Sequence, residues 1–296
     1  MDSKASVRQA FDRAARGYAN AAVLQREVAR RLDERLACMR IAPKRVLDAG
    51  CGTGFALSAL RTRFPGAALV ALDLSTAMLS EARAAVSGSW TKRMGARIGL
   101  ARSPFSLVCG DIEHIPLASA SVDLAWSNLA LQWVDVSRAL AEFRRVLRPG
   151  GLVLFSTFGP DTLRELRAAF AAVDGEPHVN RFIDMHDIGD ALMHAGFVHP
   201  VMEMEYITLT YTDLSGLLRE IKAMGAHTVL DGRRAGLFGK TAWQGLQAAY
   251  ETHRRADGRL PATWEVVYGH AWVGEPVPAR RAQAIRWHAR GAGGER

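Results

Sequence analysis

The chain has 296 residues, 49% of them hydrophobic and 23% charged, with only 11 prolines, which fits a globular protein of one large or two modest domains. No apolar run reaches bilayer-spanning length, and the polar first twenty residues lack the apolar centre of a secretory signal. Asp2 and Asp12 argue against a mitochondrial presequence. Cys38, Cys51 and Cys109 are odd in number and lack metal-ligand spacing, so reduced thiols and a cytoplasmic location are the expectation.

The net charge of +8 sits at the two ends. Residues 1–40 hold nine Lys/Arg against five Asp/Glu, residues 276–296 hold five Arg against one Glu, and the interior balances. A nucleic-acid enzyme gathers basic residues around its groove. A neutral middle with basic ends suits an acidic protein partner instead.

Residues 1–40 read as a helical N-terminal region. Leu24, Val28, Leu32 and Leu36 recur every fourth residue and mark one apolar helix face. Such a helix packs as core or lies over a pocket as a lid; Tyr18, beside Gly17, reaches the pocket in the second case. Val46 and Leu47 then begin a strand that runs through Asp48 into Gly50-Cys51-Gly52-Thr53-Gly54 and a helix from Phe55. A strand feeding a helix through a glycine turn brings backbone N–H groups close to a ligand. The dinucleotide pattern needs Gly or Ala at its sixth position, and Phe55 or Leu57 stands there, so that ligand is excluded.

From Arg45 apolar strands alternate with helices, which predicts a doubly wound, mostly parallel α/β sheet over residues 41–275. Strand two, 68–72, ends at Asp73, where a carboxylate can accept ribose hydroxyls; Ser75 is a candidate helix N-cap. Residues 87–104 are basic, glycine-punctuated and without period, and read as a surface insertion. Strand three runs to Asp111, and strand four, 122–128, leads to Leu129-Ala130-Leu131-Gln132-Trp133. A helix ends at Arg148-Pro149-Gly150-Gly151 before strand five, 152–157. Helical insertions are expected at about 158–195, with Asp161 as a cap, and at 213–256. Strands six and seven fall at 201–209 and 263–272, and the tail 276–296 reads as unstructured. His178, His186 and His194 are too loosely spaced for a zinc site, and no metal is expected.

The Asp-x-Gly-x-Gly-x-Gly turn resembles motif I of the class I S-adenosylmethionine-dependent methyltransferases, whose fold is Rossmann-like and seven-stranded. That resemblance implies S-adenosyl-L-methionine as cofactor, held by Asp48, Gly50, Cys51, Gly52 and Gly54 at the turn and by Asp73, Leu74 and Met78 after strand two. It also implies that Asp111 accepts from the adenine amino group, that Ile112 packs on the ring, and that Asn128 and Leu129 face the transferable methyl. The Pro-Pro-Tyr or Pro-Pro-Phe stretch of amino-methylating DNA enzymes is replaced here by Ser127-Asn128-Leu129-Ala130, which counts against nucleic acid.

Phe11-Asp12-Arg13-Ala14-Ala15 with Tyr18, Ser127 to Trp133, and Arg181-Phe182-Ile183-Asp184-Met185-His186-Asp187 narrow the resemblance to malonyl-[acyl-carrier protein] O-methyltransferases of biotin synthesis. This implies transfer to the free carboxylate of a malonyl thioester, on an acidic carrier protein or on coenzyme A, without nucleic acid or membrane. The resulting methyl ester would prime pimeloyl and biotin synthesis. Arg181 is the expected carboxylate clamp, Arg13 the second choice, and Tyr18 closes the pocket. Phe158 to Leu166 and Leu260 to Glu265 also resemble a methyltransferase-like assembly factor of respiratory complex I, reported to hydroxylate arginine. A small-acid or quinone methyltransferase is a third reading.

Overall fold

A computed structural model describes residues 4–94, 105–173, 179–223 and 239–275. Two N-terminal helices, α1 (Lys4–Ala21) and α2 (Val23–Ala37), precede β1 (Arg45–Ala49), α3 (Phe55–Arg63), β2 (Ala68–Asp73), α4 (Thr76–Met94), β3 (Phe105–Cys109) and β4 (Val122–Asn128). After α5 (Val136–Val146) come β5 (Leu147–Phe158), α6 (Arg164–Ala171), α7 (Met185–His194), β6 (Phe197–Tyr211), α8 (Leu214–Ala223), α9 (Lys240–Glu251) and β7 (Leu260–Val273). The strands form one sheet in the order β3-β2-β1-β4-β5-β7-β6. The first five are mutually parallel, and β7 runs antiparallel to both β5 and β6.

The sheet is covered on both faces, which is why its central strands read as continuous apolar runs. One core joins the stripe Leu24, Val28, Leu32 and Leu36 of α2 to Leu124 and Trp126 of β4 and Trp264 of β7. The other packs Leu140 and Phe143 of α5 under Leu47, Val70 and Val153. The apolar stripe of α2 is therefore core, and the covering role over the strand ends falls to α1. In α5, Val136, Ala139, Leu140, Phe143 and Val146 repeat at helical spacing, and Asp135 caps the first turn by accepting from the Arg138 N–H.

Several expectations are corrected. The sequence 87–94, expected within an insertion, continues α4; residues 95–104 and the tail 276–296 lie outside the described residues. Asp161 does not cap α6. Its carboxylate accepts from the Tyr206 hydroxyl, and α6 begins after Leu163, which has a left-handed backbone. Arg148-Pro149-Gly150-Gly151 lies inside β5, at a register break opposite β4, because Gly150 takes a positive φ and the chain passes from helix to strand at once. The helical stretch 213–256 resolves into α8 and α9, with 224–238 outside the described residues.

β6, at one border of the sheet, spans fifteen residues and leaves Val198, Val201, Met204 and Tyr206 exposed. Its register with β7 breaks between Val198 and Val201, where His199 has a left-handed backbone and Pro200 follows. No helix among the described residues is long and apolar enough to cross a membrane.

Candidate active site

The parallel strands end together, so the residues after β1, β2, β3 and β4 meet along one edge. There the turn after β1 is tied to β2: the N–H groups of Gly50 and Cys51 both donate to the Leu72 carbonyl, at 2.8 and 3.0 Å. All three glycines have positive φ, but they serve different neighbours. A Cβ on Gly50 would stand 2.4 Å from the Ala130 Cβ, so this glycine admits the chain leaving β4. A Cβ on Gly54 would stand 2.9 Å from Ala82 of α4, so this one lets two helices approach. Gly52 alone would meet only the Tyr18 ring, at 3.8 Å, and opens to the cavity. Cys51 contributes backbone; its side chain is buried among Leu57, Ala71 and Leu79, and burial raises its thiol pKa.

Two carboxyl groups adjoin this turn, Asp48 buried and Asp73 half-buried. Asp73 accepts from the Gly52 N–H and the Ser75 N–H, each at 2.8 Å, which ties the turn to the end of β2. Burial raises its pKa to about 6 against the lowering effect of those two bonds. Asp48 lies deeper, and burial with the nearby Asp73 charge raises its pKa to about 8. Its Oδ2 is buried with no hydrogen-bond partner among the described residues. Tyr18 is held neutral by burial and by Asp73. Two adjoining acids, one with an orphaned oxygen, favour a ligand that brings positive charge and hydrogen-bond donors.

A cavity of about 80 Å³ opens along this edge. The structure brings to it Tyr18, Gly50, Gly52, Asp73, Leu74 and Met78, together with Asp111, Ile112, Asn128 and Leu129. Asp48, Cys51 and Gly54 stand behind the lining and support it. Ser75 acts as expected, accepting from the Met78 N–H at 3.1 Å. At the end of β4, Leu129 is held in a left-handed conformation, and its N–H donates to Ser156. Ser156 Oγ donates to Asn128 Oδ1 at 2.9 Å, and the Asn128 amide donates to the Gln25 carbonyl, so α2 and β5 together fix the β4 end. Leu129 is a non-glycine residue in a sparsely populated backbone region, a feature that concentrates at functional sites.

The roof is α1. Lys4, Val7, Phe11 and Tyr18 share one helix face and line the cavity, with Phe11 edge-on to Trp133 at 5.4 Å. Lys4, Val7 and Phe11 were missed by sequence reasoning, although their three- and four-residue spacing would have found them once Tyr18 was placed. Arg13 lies on another face, is exposed, and lines neither cavity. The helix turn alone separates it from the site.

A second cleft of about 440 Å³ adjoins the first and shares Lys4, Val7, Trp133 and Val134 with it. Its walls are mainly apolar, including Leu131, Val136, Phe182 and Ile188. Gln132 donates to the Leu129 carbonyl at 2.8 Å and accepts from Thr157 Oγ1 at 3.4 Å, bracing the floor. Arg181 lines this cleft. Its neighbour Phe182 is pinned edge-on to Phe158 at 5.7 Å, and Phe158 packs on Trp264, so the loop carrying the guanidinium is anchored to the sheet. Among the described residues no group of three His, Cys, Asp or Glu side chains is placed to hold a metal.

The comparisons with known proteins agree with this architecture. Residues 47–155 match the methyltransferase domain family. A malonyl-[acyl-carrier protein] O-methyltransferase from Laribacter hongkongensis is 54% identical over 94% of this chain and 92% of its own length. The enzyme of the same name from Gallionella capsiferriformans is 51% identical over 96% of both. The chain belongs to the malonyl-[acyl-carrier protein] O-methyltransferase family. Among solved structures, a candidate methyltransferase from Bacillus halodurans superposes with a TM-score of 0.57 at 18% identity, covering 82% of this chain and 98% of its own, which supports the fold. The family relationship spans α1 and α2 as well as the sheet, and it disfavours the second resemblance, to a complex I assembly factor.

Proposed function

We propose that this chain transfers a methyl group from S-adenosyl-L-methionine to the free carboxylate of a malonyl thioester, forming the methyl ester used in biotin synthesis. The observation that carries the reading is the meeting of two unlike cavities: an acidic, strand-end pocket opens into an apolar cleft lined by Arg181. When bound, the cofactor supplies a methyl group on a cationic sulfur. Asp73 at the cavity wall suits that cation and its hydroxyl donors, with Asp48 supporting the turn from behind; Met78 and Ile112 offer apolar surface to the nucleoside, and Gly52 gives access to backbone.

The residues then have little proton chemistry to perform. A malonyl carboxyl has a pKa near ~4 and is ionised at neutral pH, so no base is required. Arg181 holds the non-attacking carboxylate oxygen through its planar fork and leaves the other oxygen directed to the shared opening. Val7, Leu131, Trp133 and Phe182 exclude water and strengthen the attraction between opposite charges. Tyr18 closes the pocket against Gly52. The chain's contribution is alignment of the reacting groups in a dry site.

The carrier protein is favoured over coenzyme A as the thioester partner, because Arg8, Arg13 and Arg16 are exposed on α1, whose first turn borders the cleft. Three free cysteines suit the reducing cytoplasm, and neither nucleic acid nor membrane is part of the proposal. Purified protein given methyl-labelled cofactor should place label in a base-labile ester on malonyl-carrier protein, and less on malonyl-coenzyme A. No label on either at saturation would overturn the reading.

A further inference from the structure

Lys4, the first described residue of α1, has no role in the function above, yet it lines both cavities. Its Nζ donates to Asp111 Oδ1 at 3.0 Å and lies 2.5 Å from Glu113 Oε1. Glu113 is well anchored: its side chain is only 7% exposed, and its Oε1 also accepts from the Asp135 N–H at 2.7 Å. Thus one ammonium fastens the start of α1 to the chain after β3.

The cofactor pocket is too small for the molecule it is proposed to hold. It encloses about 80 Å³, whereas pockets for small-molecule ligands run to roughly 300–1,000 Å³. Much of its lining belongs to the ends of β2 and β4 and to the turns that directly follow the parallel strands, which the sheet's hydrogen bonding anchors. Lys4, Val7 and Phe11 belong to the first turns of a helix on the surface. Farther along the same helix, Asp12 accepts from Ser75 Oγ at 2.6 Å, and Tyr18 lies against the glycine turn. The helix is therefore held near its middle and end by short-range packing, and at its start by an ion pair that is partly open to solvent.

We propose that Lys4 is the latch of the cofactor pocket: its ammonium, clasped by Asp111 and Glu113, holds the start of α1 across the nucleoside end, and this ion pair opens to admit or release the cofactor. The inference rests on the function proposed above and makes Lys4 a positioning residue that acts through α1. Asp111 has then two successive partners, the lysine and the incoming nucleoside, so cofactor binding and latch release are linked through one carboxylate. A partly exposed ion pair is screened by salt, while the Asp12–Ser75 contact and the apolar packing are not. Salt should consequently loosen one end of the helix only.

The test is stopped-flow binding of S-adenosylhomocysteine, followed by tryptophan fluorescence because Trp133 lines both cavities. This probe lacks the sulfonium charge, so long-range steering contributes little to its salt response. For the wild type, association and dissociation should both accelerate as salt rises to about 0.5 M. Lys4→Met should raise both rates about five- to tenfold at low salt and abolish the salt response, with a smaller change in their ratio. Lys4→Arg should behave like the wild type, and Glu113→Gln, which keeps its acceptor for the Asp135 N–H, should resemble Lys4→Met. Wild-type binding with rates insensitive to salt, or Lys4→Met and Glu113→Gln rates equal to the wild type, would overturn the latch while leaving the proposed function intact. Failure of the wild type to bind the probe at all would overturn both. Should Lys4→Met not fold, the wild-type salt response and Glu113→Gln decide the matter.

Discussion

The two cavities that meet at Lys4, Val7, Trp133 and Val134 are built by different means. The cofactor pocket is made of the residues just beyond β1, β2, β3 and β4, and parallel hydrogen bonding fixes those strand ends against each other. Asp48 and Asp73 therefore hold their places by register and Gly52 by its bond to Asp73, and a motif a few residues long suffices to specify them. The cleft draws instead on a turn (Leu131–Trp133), the end of β5, the start of α5 and the loop 179–183. Its one distinctive cation, Arg181, is positioned by packing of the adjacent Phe182 on Phe158. On the proposed function, binding of a common cofactor is written into the sheet, and choice of acceptor into the pieces hung around it.

Substitutions can break that contrast. The largest effect is expected on stability at a glycine outside the cavity lining: Gly54→Ala forces a Cβ to within 2.9 Å of Ala82 at positive φ, at a cost of about 2–4 kcal/mol from left-handed strain plus overpacking. A thermal melt should show this loss, whereas Gly52→Ala, which meets only Tyr18, should cost the left-handed strain alone, about 1–2 kcal/mol. Next, Asp73→Ala should weaken cofactor binding by about 1.5–3 kcal/mol, or roughly 10- to 150-fold by calorimetry. Unchanged affinity would remove Asp73 from the site. Arg181→Ala should lower kcat/KM for the malonyl thioester on the order of tenfold while cofactor affinity stays within about twofold. A normal turnover would place the carboxylate clamp elsewhere.

A pH dependence should be confined to the pocket. Burial raises Asp48 to about 8 and Asp73 to about 6, so the folded, ligand-free protein holds protons that the unfolded chain gives up. Their contribution to stability is greatest on the acid side and is lost as pH rises from the ordinary carboxylate range through those values. The ligand-free melting temperature should fall from pH 5 to pH 8, and Asp48→Asn should flatten the fall. A cationic cofactor favours the ionised acids, so its binding near pH 7 should release protons, measurable in buffers of different ionisation heat.

The same contrast explains how much the sequence disclosed. Strand ends and acids were legible because a parallel sheet needs continuous apolar runs, and the runs give way to polar residues that serve the pocket, namely Asp73, Asp111 and Asn128. The N-terminal region was half legible. The stripe Leu24, Val28, Leu32 and Leu36 marks a buried face, but periodicity cannot say what lies beneath it. That α2 is core and α1 the roof depended on the break at Ala22. Arg13 drew attention as a charge in a recognisable motif, yet rotation about a helix carries it away from Val7 and Phe11. The separate duties of Gly50, Gly52 and Gly54 were hidden as well, since Ala130 and Ala82, their neighbours in space, are far off in sequence.

The kink in β6 has a consequence for how copies of this chain coexist. Fifteen residues of border strand carrying exposed Val201, Met204 and Tyr206 would present a long adhesive rail for a second molecule's backbone. His199 turns the chain the wrong way and Pro200 offers no N–H, so the rail is interrupted close to its start. A second copy is thereby denied pairing along the full length of the strand, and only the stretch beyond Pro200 keeps an unbroken edge.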